Sequence, residues 1–203
     1  MDQGRGTEAL GVSVRSGLPE GGHGTTAWRI DRWDAEQTAW VRQRVGLVAP
    51  QGDDFARLGV RPYKVSEHLG NVITTAGWTR VLNLAIASGG LQAFDSTHTR
   101  IGVGTGTTPA ENAADTDLIG VVTTNRYWKL VDSRSVSTNV LTIVATFGSA
   151  VANFAWNEFG IDQGTADGTG AVVAPFLNHK VGISQGTKSA GQTWTATAAL
   201  TFT

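Results

Sequence analysis

Thr193-Trp-Thr-Ala-Thr-Ala-Ala-Leu-Thr-Phe-Thr203 alternates along its length. Trp194, Ala196, Ala198, Leu200 and Phe202 fall on one side, and threonine takes five of the six positions on the other. Successive strand side chains point to opposite faces, so this period of two describes a half-buried strand; a helix would smear the same apolar residues around its surface. Working back along the chain, similar segments occur at 98–103, 121–131, 139–147, 153–161 and 171–183. Between them stand Asp132-Ser-Arg-Ser, Gly148-Ser-Ala, residues 162–170 and residues 184–192, which carry turn chemistry. Strands at this spacing predict a mainly β protein, an antiparallel β-sandwich or jelly-roll-like body. No internal repeat is visible.

Composition agrees. The 203 residues include 26 Gly, 26 Thr and seven Trp but one Met, a mixture that favours pleated surfaces and tight turns. Sixteen Lys and Arg against 17 Asp and Glu leave a formal charge of −1. That balance excludes a cationic nucleic-acid platform and an acidic solvating tail. The absence of Cys removes disulfides, thiolate metal sites and Cys nucleophiles together. The opening Met-Asp-Gln-Gly-Arg-Gly has no apolar run behind it, so no signal peptide is expected, and no stretch approaches the roughly 18 apolar residues of a membrane span.

The chain divides near Gly70. Residues 1–70 carry 18 of the 33 charges, whereas 22 of the 26 threonines lie beyond. Residues 1–27 are glycine-rich and free of aromatics, which predicts an extended arm that only a partner chain or its own body would order. Residues 28–70 read as a Trp-containing hairpin and linker. Trp28 and Ile30 share one face of a first strand; Ala39, Val41, Val45 and Leu47 line a second. Asp34 and Gln37 stand at capping-box spacing and offer a helix instead, but no coherent apolar stripe follows them, so the hairpin is preferred. Residues 71–203 form the body, with one short helix over 74–88. There Trp78, Val81, Leu82, Ala85 and Ile86 follow helical spacing, and Gly89-Gly90 ends it.

Little chemistry is legible. Ile101-Gly-Val-Gly-Thr-Gly-Thr-Thr-Pro109 lacks the glycine spacing of a dinucleotide loop and the Lys of a Walker loop, so it reads as a strand leaving into a tight turn. His23, His68, His98 and His179 never form ligand pairs and read as surface residues. Asp115/Asp117 and Asp162/Asp167 bring carboxylates close enough to share a hard cation, but without the spacing of a calcium loop. No metal or other cofactor is expected. Glu158, on the face of Phe154 and Trp156 by period two, has the apolar surroundings of a catalytic acid but no second carboxylate. A salt bridge to an arginine such as Arg126 is the plainer reading, and the chain reads as a non-enzyme. Trp128, Trp156 and Trp194 are expected in the core. Trp28, Trp33 and Trp40 are the candidate interface residues, because large aromatics anchor interfaces and stack on sugars.

Gly70-Asn71-Val-Ile-Thr-Thr-Ala-Gly77 leads into the short apolar helix. Ile101 to Pro109, Asp115-Thr-Asp-Leu118, a strand pair, Trp156-Asn-Glu-Phe-Gly-Ile161 and the Thr-rich last strand follow. Over about residues 60–203 this order resembles small virion proteins of tailed bacteriophages, described as head decoration, head fibre or tail-fibre-like proteins. The segment around Glu158 also resembles the Glu-x-Gly strand of tail-collar fibre proteins, with Phe159 in the middle position. The resemblance implies a virion structural protein, oligomeric and non-enzymatic. A decoration protein on the capsid exterior is the first expectation, partnered by the major capsid protein and by its own copies as a trimer, with no nucleic acid or membrane. The alternative is a tail-fibre or baseplate protein contacting a host receptor such as a glycan. A polysaccharide-degrading enzyme of the same particle would require a carboxylate pair, which the sequence does not offer.

Overall fold

The computed structural model describes residues 24–173 and 175–202. The fold is mainly β. Among the described residues ten strands form two antiparallel five-stranded sheets that enclose one apolar core. Sheet A runs in the order β2 (Lys64–Leu69), β1 (Gly24–Trp33), β10 (Thr193–Phe202), β7 (Val140–Phe147), β6 (Ser133–Ser137). Sheet B runs β3 (Val72–Ile73), β9 (Phe176–Val181), β8 (Glu158–Asp162), β4 (Arg100–Gly104), β5 (Arg126–Leu130).

β10 sits at the centre of sheet A, paired with β1 through ten residues and with β7 through eight. Its expected inner face is buried from Trp194 to Leu200. The threonine face is not uniformly solvated, however: Thr193 and Thr195 are also buried. Across the sandwich the Trp28 and Phe159 rings lie 5.1 Å apart, and Trp156 packs on Trp194 at 4.9 Å.

The first 70 residues depart most from expectation. The arm assigned to residues 1–27 lies outside the described residues up to His23, and Gly24–Ala27 belong to β1 itself. The hairpin expected over 28–48 is a strand followed by a helix, α1 (Ala35–Val45). The capping box decides it. The Gln37 amide donates to Asp34 Oδ1 at 2.8 Å, and the Asp34 amide donates to Gln37 Oε1 at 3.1 Å. Gly46 closes the helix at φ 69°, in the left-handed region. A long stripe is unnecessary because α1 packs through a small cluster of Trp33, Val41 and Phe55. Phe55 comes from a second unexpected helix, α2 (Gly52–Arg57).

The helix expected over 74–88 is α3 (Thr75–Ala85). Thr74 caps it, accepting the Gly77 amide at 2.9 Å. Gly77 is required there, because a Cβ would overlap the Leu177 carbonyl. Only half of its apolar stripe is used: Trp78 and Val81 pack on the core, whereas Leu82 and Ile86 are exposed. Ala87, at φ 52°, turns the chain before Gly89 and Gly90 are reached. Of the segment 132–135, expected as a turn, residues 133–135 open strand β6. Among the described residues no helix is long and apolar enough to cross a membrane.

Candidate functional site

Strand alternation sends Ile101, Val103, Phe159 and Ile161 of β4 and β8 into the core. It therefore places Arg100, Gly102, Gly104, Glu158, Gly160 and Asp162 on the opposite, outer face of sheet B. That face is covered by the long connections before β5 and β9, and it holds a layer of buried charge.

Glu158 is its centre and is fully buried. Its Oε1 accepts the amides of Gly106 at 3.0 Å and Gly120 at 2.6 Å, and its Oε2 accepts the Ile119 amide at 2.8 Å. Oε2 also meets His179 Nε2 at 3.2 Å, while His179 Nδ1 lies 2.6 Å from Asp115. A Cβ on Gly104, Gly106 or Gly120 would overlap the Glu158 side chain, so these glycines let the backbone reach the carboxylate. Burial would push the Glu158 carboxyl up; the His179 bond and three amides overcome it and hold it below its ordinary value. Burial would lower His179 too, but the flanking Glu158 and Asp115 raise it. Two carboxylates facing the two ring nitrogens favour the imidazolium, in which both nitrogens donate. A histidine so held has no lone pair for a nucleophile's proton. The arrangement staples the 105–120 connection to sheet B.

This corrects three expectations. Glu158 does not pair with Arg126, whose guanidinium reaches Asp117 at 2.6 Å and the Leu118 and Gly120 carbonyls. Glu158 does not share a face with Trp156: β8 begins at Glu158, and Trp156 lies before it, packed in the core. His179 is not at the surface but buried. The suggested cation pairs are also divided among separate partners. Asp115 takes His179, Asp117 takes Arg126, Asp162 takes Arg100 and Asp167 takes Lys129. Among the described residues no group of three His, Asp or Glu side chains is arranged to hold a metal ion.

The three candidate interface tryptophans do not form one patch. Trp28 lies in the sandwich core, fully buried. Trp33 stacks on Phe55 at 4.3 Å and donates its indole N–H to the Val60 carbonyl at 3.1 Å. Trp40 alone is exposed, on α1, with the Arg44 guanidinium 4.5 Å from its ring.

Sequence reasoning missed His179 as a partner of Glu158. The pairing of β8 with β9 shifts register at Ile161/Asp162, so Ile161 faces Asn178 while Asp162 faces Phe176. The bulge at Leu177 puts Phe176 and His179 side by side, ring centroids 5.2 Å apart, which period-two alternation does not anticipate. Outside this layer, the outer face of sheet A carries an open cleft of about 580 Å³ beneath α2. Comparisons with known protein families, curated proteins and solved structures return no match.

Proposed function

We propose that the chain is a structural protein of a tailed-bacteriophage virion, seated on the outer face of the capsid as a decoration protein and associating there with its own copies. The observation that carries this reading is that the segments resembling phage virion proteins meet in architectural roles. Asn71 Oδ1 accepts the Thr26 amide at 3.0 Å, Thr74 caps α3 and Gly77 lies against β9. Gly104, Gly106, Asp115 and Glu158 build one staple, and Asp117 anchors Arg126 beside it. A shared pattern made of fold-determining positions supports a shared β scaffold, and none of these positions offers a free reactive group. Exposed apolar side chains such as Leu82 and Ile86 on α3, and Trp40 on α1, supply surface for contacts with capsid or sister subunits.

Binding to shells tests this reading. Full-length protein is sedimented with purified capsids lacking it, alongside a form without residues 2–23. The deletion stops short of β1, so the truncated protein melts within a few degrees of full length. If the arm attaches the protein, capsid binding weakens at least about tenfold, equivalent to ~1.4 kcal/mol. Full-length protein that never co-sediments with shells sinks the decoration reading and leaves the tail-fibre or baseplate role.

A further inference from the structure

α3 leaves half of its apolar face open. Trp78 and Val81 pack on the core, but Leu82 is 61% and Ile86 73% exposed. Thr75, Trp78, Thr79, Leu82 and Ile86 follow one another along this side of the helix, and none is charged. The charged residue of α3, Arg80, donates instead to Gln163 Oε1 at 2.6 Å. An uncharged strip ending in two exposed aliphatic side chains gains from any apolar cover.

The point where the described chain begins indicates what that cover is. A Cβ on Gly24, the first residue of β1, would overlap the Ile73 side chain and lie 3.6 Å from the Trp78 ring. Gly24 also pairs with Phe202, whose ring meets Trp78 edge-on at 6.0 Å. Residues 1–23 therefore join the fold beside α3, at the Trp78 end of the open strip. An extended chain advances at most about 3.3–3.6 Å per residue, so Val14, ten positions before Gly24, can stand up to about 33–36 Å from it. From Trp78 to Ile86 the helix rises only about 12 Å, at about 1.5 Å per residue. The whole strip is within reach.

The arm also holds a segment of matching chemistry. Ala9-Leu10-Gly11-Val12-Ser13-Val14 is uncharged and alternates branched aliphatic with small residues. In extended backbone Leu10, Val12 and Val14 would recur on one side every ~6.6 Å, and helix residues four apart recur every ~6 Å. The three can thus stand in step with Trp78, Leu82 and Ile86. A second copy fits less well, because two exposed aliphatic side chains fall far short of the about 20–30 residues a side of a stable interface.

We propose that residues 9–14 of the chain's own N-terminal arm lie along α3, with Leu10, Val12 and Val14 covering Leu82, Ile86 and the open edge of Trp78. This goes beyond the capsid reading, which seats the arm on the shell. In the free protein the arm and the helix cover each other; attachment exchanges that seat for the shell and uncovers Leu82 and Ile86. The contact is autoinhibitory.

The test uses the full chain, which has no Cys. Ser13→Cys carries a nitroxide in the middle of the segment, and methyl signals are followed by NMR. The Leu82 and Ile86 methyls are expected to lose their signals until the label is reduced. Val41 and Leu58, in the cluster at the far end of β1, keep theirs. Replacing Leu10, Val12 and Val14 by Ser, with the label kept, should restore the lost signals. Equal loss in that variant shows that the tether alone brings the arm near, and overturns the proposal. Undiminished Leu82 and Ile86 signals in the labelled parent overturn it as well. Spin-labelled protein mixed with isotope-labelled, spin-free protein should cause no loss; loss there assigns the cover to a second copy and overturns the own-arm contact. Leu82→Ser together with Ile86→Ser alters only exposed positions. It should move the Val12 amide resonance to its place in a free peptide of residues 1–23, and an unmoved resonance overturns the proposal. All of this is read without capsids. Its failure leaves the capsid reading standing, and protein that never co-sediments with shells leaves the arm's seat on α3 standing.

Discussion

Replacing Glu158 by Gln probes the staple with almost no change in volume. The carboxylate accepts three backbone amides and one imidazolium N–H. Glutamine keeps one accepting oxygen, and its NH₂ would face donors in a fully buried site. The variant therefore loses charge-assisted bonds and leaves at least one amide unsatisfied. Breaking one side of a buried ionic group costs about 3–5 kcal/mol. At about 2–4 °C per kcal/mol for a chain of this size, the midpoint should fall by about 6–20 °C. Urea denaturation gives the free energy and calorimetry the midpoint. Native-state hydrogen exchange should show the Gly106, Ile119 and Gly120 amides losing protection before the strands do. A second measurement isolates the pair: Glu158→Gln and His179→Gln together should cost clearly less than the sum of the single changes. A loss under about 1 kcal/mol, the ordinary range for a point change, with those three amides still protected, would refute the reasoning.

The staple should also set the pH dependence. Glu158 is lowered in the fold, so its contribution is full above its ordinary value of 4.5 and is lost as pH falls through the lower folded value. His179 is raised, so its contribution is full below 6.5 and is lost as pH rises through the higher folded value. Thermal midpoints should thus plateau between these limits, and His179→Gln should flatten the alkaline decline; an unchanged alkaline limb counts against the imidazolium. Leu200→Asp buries an unpaired charge at a fully buried position and should cost more than about 3 kcal/mol, whereas Thr201→Asp, half-exposed on the other face, should cost less than about 1 kcal/mol. Equal losses in denaturant titrations would mean both faces of this strand end are covered. Asp34→Ala removes the α1 cap and should cost about 1 kcal/mol with a reduced helical circular-dichroism signal; no change in either would show that packing alone holds α1.

The sandwich was legible because its central strand carries an unbroken period of two, and because turn residues punctuate the other strands. Sequence reasoning failed where local and tertiary signals diverged. α1 offers a capping box but buries only Thr38 and Val41, so a stripe-based reading passes over it. α3 shows a full stripe of which the fold buries only half. The buried charge layer was half visible. Glu158 stood out as an isolated carboxylate among apolar residues, but its partners come from the long connection between β4 and β5 and from a bulged strand. The cleft was not legible at all, since its floor is threonines indistinguishable in sequence from a solvated strand face.

The central claim, that the chain decorates a phage capsid, is tested most directly by its copy number in purified virions. Quantitative mass spectrometry against the major capsid protein gives that number. The decoration reading predicts hundreds of copies per particle. A handful would place the chain in the tail, and none at all would contradict a virion role of either kind.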